Sequence, residues 1–234
     1  MGDKPLPEKD AEYIKGWREL NPDFEIKVWN NETFPIEDWP FIKYALGQKN
    51  WALAADAIRV IVLEKYGGIY LDTDMELLKP LADLTQYEFF AGYESTAWCN
   101  TAVIGAAPHH PIIARLLQRY KKRAAAQTVE ANLQTVHALS KTITDLYGIR
   151  PNGKTTELAG LKLFAPKYFY PIHYTTGKLE KDKDTIGIHH YASTWHNKKQ
   201  KRQLALMRFW FRITPGWLAA FSEQVGHWYL ARKI

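Results

Sequence analysis

GGIYLDTD, residues 67–74, decides how this chain is read. Two glycines lead into a short apolar run, and the run ends in Asp72-Thr73-Asp74. Asn50 to Tyr66, just ahead, has the marks of a helix: Asn50 can cap its start and Gly67-Gly68 end it. Trp51, Ala55, Ile58 and Val62 make one apolar stripe along it. Ile69 to Leu71 then reads as a short strand. Side chains alternate along a strand, so Asp72 and Asp74 are expected on one side, with Cα atoms roughly 6.6 Å apart, and Thr73 on the other. Two carboxylates so placed suit one hard divalent cation, Mg²⁺ or Mn²⁺, which keeps open positions for phosphate oxygens. A D-x-D triplet alone is short, and many are turns or surface acids. Here it follows an apolar run, and open α/β sheets bind ligands at the carboxyl ends of their strands.

The helix before it adds a second pair. Asp56 and Arg59 stand at i and i+3, on a common face away from the apolar stripe. On an exposed face such a pair contributes less than ~1 kcal/mol. Within ALAADAIRVIVL, however, few other polar residues occur, and a buried charge must be paired or bound. Arg59 suits a phosphate or a sugar hydroxyl, and Asp56 can accept from sugar hydroxyls.

Outward from this centre the chain reads as mixed α/β. Helices are expected over Glu8–Leu20, Pro111–Arg123 and Val129–Tyr147. Strands are expected over 24–30 (FEIKVWN), Met75–Leu78, FFAGYE, NTAVIGA, LKLFAPKYFYP and TIGIHHY. No repeat or low-complexity linker interrupts it. At 234 residues, one domain burying roughly 70% of its unfolded surface is expected.

Composition narrows the classes. Apolar residues are 46% and charged residues 24%, as in ordinary globular proteins. The single cysteine, Cys99, excludes an internal disulfide and CxxC metal sites, and suits a reducing compartment. Met1–Asp10 is polar, unlike a signal peptide, and no apolar run reaches the ~18 residues needed to span a bilayer. The net charge of +6 is concentrated late, in Lys198, Lys199, Lys201, Arg202, Arg208 and Arg212, interleaved with LALMRFWFRITPGWLAAF. Two readings of that tail stand. One is a solvated basic helix. The other is an interfacial helix on an anionic membrane, with Phe209, Trp210, Phe211 and Trp217 in the headgroup boundary. No nucleic-acid-binding motif accompanies the charge.

The pattern A-x-D-x-x-R followed by YGGIYLDTD resembles the DxD-containing glycosyltransferases of family 32, whose members include fungal initiating mannosyltransferases and bacterial capsular-polysaccharide glycosyltransferases. The likeness runs from about Lys4 to Trp195, and HHYASTW, 189–195, is similar to the family's C-terminal signature. The resemblance implies a GT-A fold with a Rossmann-like mixed sheet. It implies a retaining hexosyltransferase that uses Mn²⁺ (or Mg²⁺) and a nucleotide-sugar donor, UDP-hexose first and GDP-mannose second. The acceptor would be a saccharide or lipid-linked oligosaccharide in capsular-polysaccharide or other glycan assembly.

By the same resemblance Asp74, His190 and Asp72 are the metal set. Asp56, Arg59, Tyr70, Asp72, Asn100, Ser193 and Trp195 hold the donor, and Asp72, Asp74, Arg59 and Trp195 serve catalysis. His189 and His190 face opposite ways if both lie in a strand, so at most one serves a given metal. No nucleophile for a double displacement stands out, which implies front-face attack with the leaving phosphate oxygen taking the acceptor's proton. The domain is expected over 1–197, with 198–234 a basic aromatic tail. The setting is expected to be cytoplasmic, peripheral on the inner membrane face. Two departures from the family are visible: the opening strand resembling IPKIIHYIWFG is absent ahead of Gly2, and Thr128–Asp145 lacks a T-G-P stretch. The competing readings are a DxD phosphohydrolase, whose first Asp would be the nucleophile, and a catalytically dead membrane-surface binder.

Overall fold

The computed structural model describes residues 6–126, 135–174, 176–192 and, beyond them, 202, 203, 205, 206, 208, 209 and 211. Three helices come first: α1 (Glu8–Leu20), α2 (Pro40–Gly47) and α3 (Trp51–Tyr66). Strands β1 (Gly68–Leu71), β2 (Met75–Leu77), β3 (Phe89–Tyr93) and β4 (Cys99–Ala106) follow. Then come α4 (Pro111–Ala126), α5 (Thr135–Tyr147), β5 (Thr156–Leu158), β6 (Leu161–Phe164), α6 (Pro166–Phe169) and β7 (Gly187–His189). Five strands form one mixed sheet in the order β1-β4-β3-β6-β5, in which only β3 and β6 are parallel. β2 and β7 form a separate antiparallel ribbon.

The sheet is covered on both faces, as its alternating side chains require. Phe89, Ala91 and Ile104 pack toward the layer of α2, α3, α4 and α5. Phe90 and Val103 pack toward α1, the β2–β7 ribbon and α6, with Trp17, Met75, Phe169 and Tyr170. From Ala57 to Leu63 every residue of α3 is buried, so Arg59 sits in the interior rather than on a solvated stripe.

The punctuation of α3 is as expected. The Asn50 Oδ1 accepts the Leu53 N–H at 3.2 Å, and Gly67 ends the helix at φ +63°. Only glycine fits there, since a Cβ would lie 2.6 Å from the Pro108 ring. Phe24–Asn30 departs from expectation. It forms no strand among the described residues: Phe24 is a bend, 25–30 carry no regular structure, and Ile26 and Trp29 pack against the two core clusters. The Val28 carbonyl accepts from the Thr33 hydroxyl instead. Besides alternating side chains, a strand needs a partner for its backbone. The LKLFAPKYFYP segment likewise splits at Ala165, into β6 and the short α6, and β5 and α2 went unforeseen. The basic tail and Val129–Gln134 of the expected helix lie almost wholly outside the described residues; among those described, no helix is long and apolar enough to cross a membrane.

Candidate active site

The D-x-D segment is a turn, not the end of a strand. β1 stops at Leu71, the Asp72 N–H donates to the Ala102 carbonyl at 2.8 Å, and the Met75 N–H donates back to the Asp72 carbonyl at 3.0 Å. The chain thereby crosses from the sheet to the ribbon. Alternation predicts the right sides for the wrong reason: Asp72 and Asp74 converge because the turn folds them together. Thr73 does face away, and its hydroxyl donates to Asp10 Oδ2 at 2.8 Å. Asp10 is buried on α1, and Trp17 of the same helix donates its indole N–H to the Met75 carbonyl at 2.8 Å. One helix therefore holds the turn from behind.

Arg59 holds it from the side. Its Nη2 lies 2.9 Å from Asp56 Oδ1 and 3.2 Å from Asp72 Oδ1. Its Nη1 donates to the Thr101 carbonyl at 2.6 Å and hydroxyl at 2.7 Å. The guanidinium lies 4.9 Å from the centre of the Tyr70 ring, and the Tyr70 hydroxyl donates to Asp72 Oδ1 at 2.9 Å. With its side chain 6% exposed, Arg59 is committed to protein partners. In this structure its fork contacts Asp56, Asp72 and Thr101. Burial alone would lower the Arg59 pKa, but the charges of Asp72, Tyr70 and Asp56 raise it, so it stays cationic throughout. Burial pushes the Asp56 carboxyl up against the pull of Arg59, and pushes the Tyr70 phenol well above its usual range.

A register shift in the sheet makes room for this arrangement. Ala91 pairs with Ile104 but Gly92 pairs with Asn100, so Thr101, Ala102 and Val103 oppose no residue of β3. Bulges of this kind re-aim side chains beside active sites. Thr101, within the bulge, contacts Arg59, while the Ala102 carbonyl continues the β1–β4 register by accepting from Asp72. Asn100, expected to meet a sugar hydroxyl, is at the same edge. Its Oδ1 accepts the Ala102 N–H at 2.8 Å, and its Nδ2 donates to Glu94 at 2.9 Å.

The ribbon supplies the third side chain of the cluster, from a neighbour of the residue expected. β7 pairs with β2 so that His189 stands opposite Met75, which brings its Nε2 to 3.3 Å from Asp74 Oδ1. His190 points to the other face. Its Nε2 lies 2.7 Å from Glu76 Oε2, and its ring stacks on Tyr13 at 5.1 Å. The two aspartates expected to meet His190 therefore meet His189 instead. The reason is register, which no single-strand pattern reveals. Strand alternation does say that only one of the pair faces the site, and it is right. Asp74 also accepts the Ala192 N–H on Oδ2 at 2.8 Å. Burial works to raise the Asp74 pKa, but His189 and that amide outweigh it and hold it below the ordinary carboxylate range. Ser193 and Trp195 lie outside the described residues.

Ligand atoms of Asp72, Asp74 and His189 lie within 4.8 Å of one another. The His189 imidazole is buried, and neither ring nitrogen makes a directed hydrogen bond. A buried, unsatisfied imidazole beside two carboxylates is the donor set that fits a divalent transition cation. Sequence reasoning missed the placement of His189 beside Asp74, and the contacts of Asp10 with Thr73, of Thr101 with Arg59 and of Glu94 with Asn100. Only Glu94 carried a signal, as an acid closing an apolar strand just as Asp72 does.

Residues 7–91 match the glycosyltransferase sugar-binding region containing the DXD motif. Inositol phosphoceramide mannosyltransferase 2 of Schizosaccharomyces pombe is 30% identical over 127 residues, covering 50% of this chain and 37% of that protein. Human alpha-1,4-N-acetylglucosaminyltransferase is 29% identical over 90 residues, covering 38% and 25%. Human lactosylceramide 4-alpha-galactosyltransferase is 28% identical over 149 residues, covering 62% and 40%. The chain thus spans well under half the length of these relatives. Among solved structures, the PaToxG glycosyltransferase superposes with a TM-score of 0.52 at 15% identity, over 63% of this chain and 67% of that one, a likeness of fold. The stretch that bears Asp56, Arg59, Asp72 and Asp74 thus lies within the match to the DXD sugar-binding region, and the α/β fold is like that of a solved glycosyltransferase, consistent with a GT-A-like fold.

Proposed function

We propose that this chain is a metal-dependent, retaining hexosyltransferase that takes its sugar from a nucleotide donor, UDP-hexose first and GDP-mannose second. The observation that carries the reading is the convergence of Asp72, Asp74 and the unsatisfied His189 at the edge of the sheet. These three would hold Mn²⁺ or Mg²⁺, which supplies Lewis acidity to the departing diphosphate. Arg59 and Tyr70 fix one oxygen of Asp72, and the Ala192 N–H fixes one of Asp74, so each ligand is oriented before a donor arrives. Asp56, held on its other side by Arg59, is placed to accept from a sugar hydroxyl. Ala192 leads directly into Ser193 and Trp195, which the family resemblance assigns to the metal and the β-phosphate.

Retention follows from front-face attack. The acceptor oxygen bonds to the anomeric carbon as the bond from that carbon to phosphate breaks, and the proton passes to the leaving phosphate oxygen. A sugar trapped covalently on any carboxylate would overturn this step. Relatives named for ceramide-borne acceptors support a saccharide on a lipid as the acceptor. The phosphohydrolase alternative requires a free first aspartate, whereas Asp72 Oδ1 is tied by both Arg59 and Tyr70.

Calorimetric titration of UDP- and GDP-sugars with Mn²⁺, beside Asp74→Asn, tests the proposal. One donor should bind to the wild type and fail to bind to the variant. Absence of binding by every donor would refute it.

A further inference from the structure

We infer that Glu94 is the specificity-determining residue for the transferred sugar: its carboxylate accepts a hydrogen bond from a hydroxyl of the donor hexose. The inference rests on the metal–diphosphate reading above and says which side chain meets the sugar end of that donor.

The topology places it there. Asp72 directly follows β1 and Glu94 directly follows β3. Both strands run antiparallel to β4, which lies between them, so both acids leave the sheet at the same edge. Two strand spacings separate them, about 10 Å. A hexose on a diphosphate held at the end of β1 would meet Glu94 by crossing β4 toward the end of β3.

Asn100 of β4 links the two acids. Its Nδ2 donates to Glu94 Oε2 at 2.9 Å while its Oδ1 accepts the Ala102 N–H at 2.8 Å. The carbonyl of that same Ala102 takes the Asp72 N–H at 2.8 Å. Glu94 is therefore fixed relative to the metal turn through one residue of backbone. The Tyr191 ring, two residues beyond His189, is 4.2 Å from that of His189. Glu94 is half-buried. A carboxylate offers about four acceptor positions, and the Asn100 amide takes one of them, leaving room for a ligand donor. Hydroxyl donors bind a carboxylate about twice as strongly as a neutral acceptor, which suits an acid here. Holding Asn100 requires only an acceptor, and glutamine would serve that purpose. The charge is what a purely structural role leaves unexplained.

The variant Glu94→Gln tests this, because it keeps the shape and the acceptor for Asn100. Calorimetry with Mn²⁺ would compare bare UDP and GDP with UDP-glucose, UDP-galactose, UDP-N-acetylglucosamine and GDP-mannose. The variant should bind the bare nucleotide as the wild type does and bind the preferred sugar nucleotide about tenfold more weakly or worse. Monodeoxy forms of that donor complete the cycle: removing the contacted hydroxyl should cost the wild type a similar factor and cost the variant nothing. Equal losses for nucleotide and sugar nucleotide would overturn the inference, as would unchanged affinity for both. A wild type that binds sugar nucleotides no better than bare nucleotides would overturn it while leaving the metal–diphosphate reading intact. Failure of the wild type to bind any nucleotide would overturn both.

Discussion

Arg59 of α3 and Asp72 at the end of β1 meet at 3.2 Å, and the same guanidinium nitrogen lies 2.9 Å from Asp56. One buried cation thus neutralises two carboxylates and fixes the turn that carries Asp72 and Asp74, the proposed metal ligands. Arg59→Ala leaves both acids without their counter-charge, and breaking a buried pair from one side costs about 3–5 kcal/mol. Urea denaturation should show that loss. Arg59→Lys keeps the charge without the fork, and should recover part of the stability but little of the Mn²⁺ affinity.

Asp10 and Thr73 make a smaller but cleaner test of the same turn. Neither is a metal ligand, yet their hydrogen bond ties the middle residue of D-x-D to α1. Thr73→Val should cost about 1 kcal/mol in stability by leaving the buried Asp10 short of a donor. If the tie also aims the aspartates, Mn²⁺ affinity should fall by about tenfold, as for other supports of metal ligands. Loss of stability with unchanged metal affinity would make the contact structural only.

His189 and His190 divide the sequence expectation from the structure in one experiment. His189→Ala removes a candidate ligand and should weaken Mn²⁺ binding by about a hundredfold or more, beyond the range for supporting residues. His190→Ala breaks the contact with Glu76 and the stack on Tyr13, and should leave Mn²⁺ affinity within a few-fold while lowering stability. The reverse result would restore His190 to the site.

These residues show what a sequence makes legible. The helix from Asn50 to Gly67 was readable because its cap and its terminating glycine are local chemistry. The Asp56, Arg59, Tyr70, Asp72 set was readable because its spacing is local as well. The choice of His189 was not, since it depends on the register of β7 against a strand more than 110 residues earlier. Nor was the role of Arg59. A single helix shows that Asp56 and Arg59 share a face, but Thr101 contacts the guanidinium from within the bulge in the β3–β4 pairing. Phe24–Asn30 makes the same point in reverse: its sequence alternates, yet Val28 is exposed, Trp29 packs inward, and no ladder forms among the described residues.

The last prediction lies away from the site, at the start of α4. His110 is buried, its ring stacks on Phe89 at 5.1 Å, and its Nδ1 accepts the Ile112 N–H at 3.3 Å. That contact needs an unprotonated Nδ1. Burial lowers the folded-state pKa below the usual histidine value, outweighing the opposing charge of Glu88. A histidine with a depressed folded pKa holds fewer protons folded than unfolded. Its contribution is therefore fully present above the unfolded value near ~6.5 and is lost as pH falls through the lower folded one. Wild-type stability should fall between pH 7.5 and pH 5 by roughly 1 kcal/mol more than that of His110→Phe, which keeps the stack and cannot titrate. Parallel pH slopes for the two proteins in urea denaturation would show that His110 takes no part in the dependence.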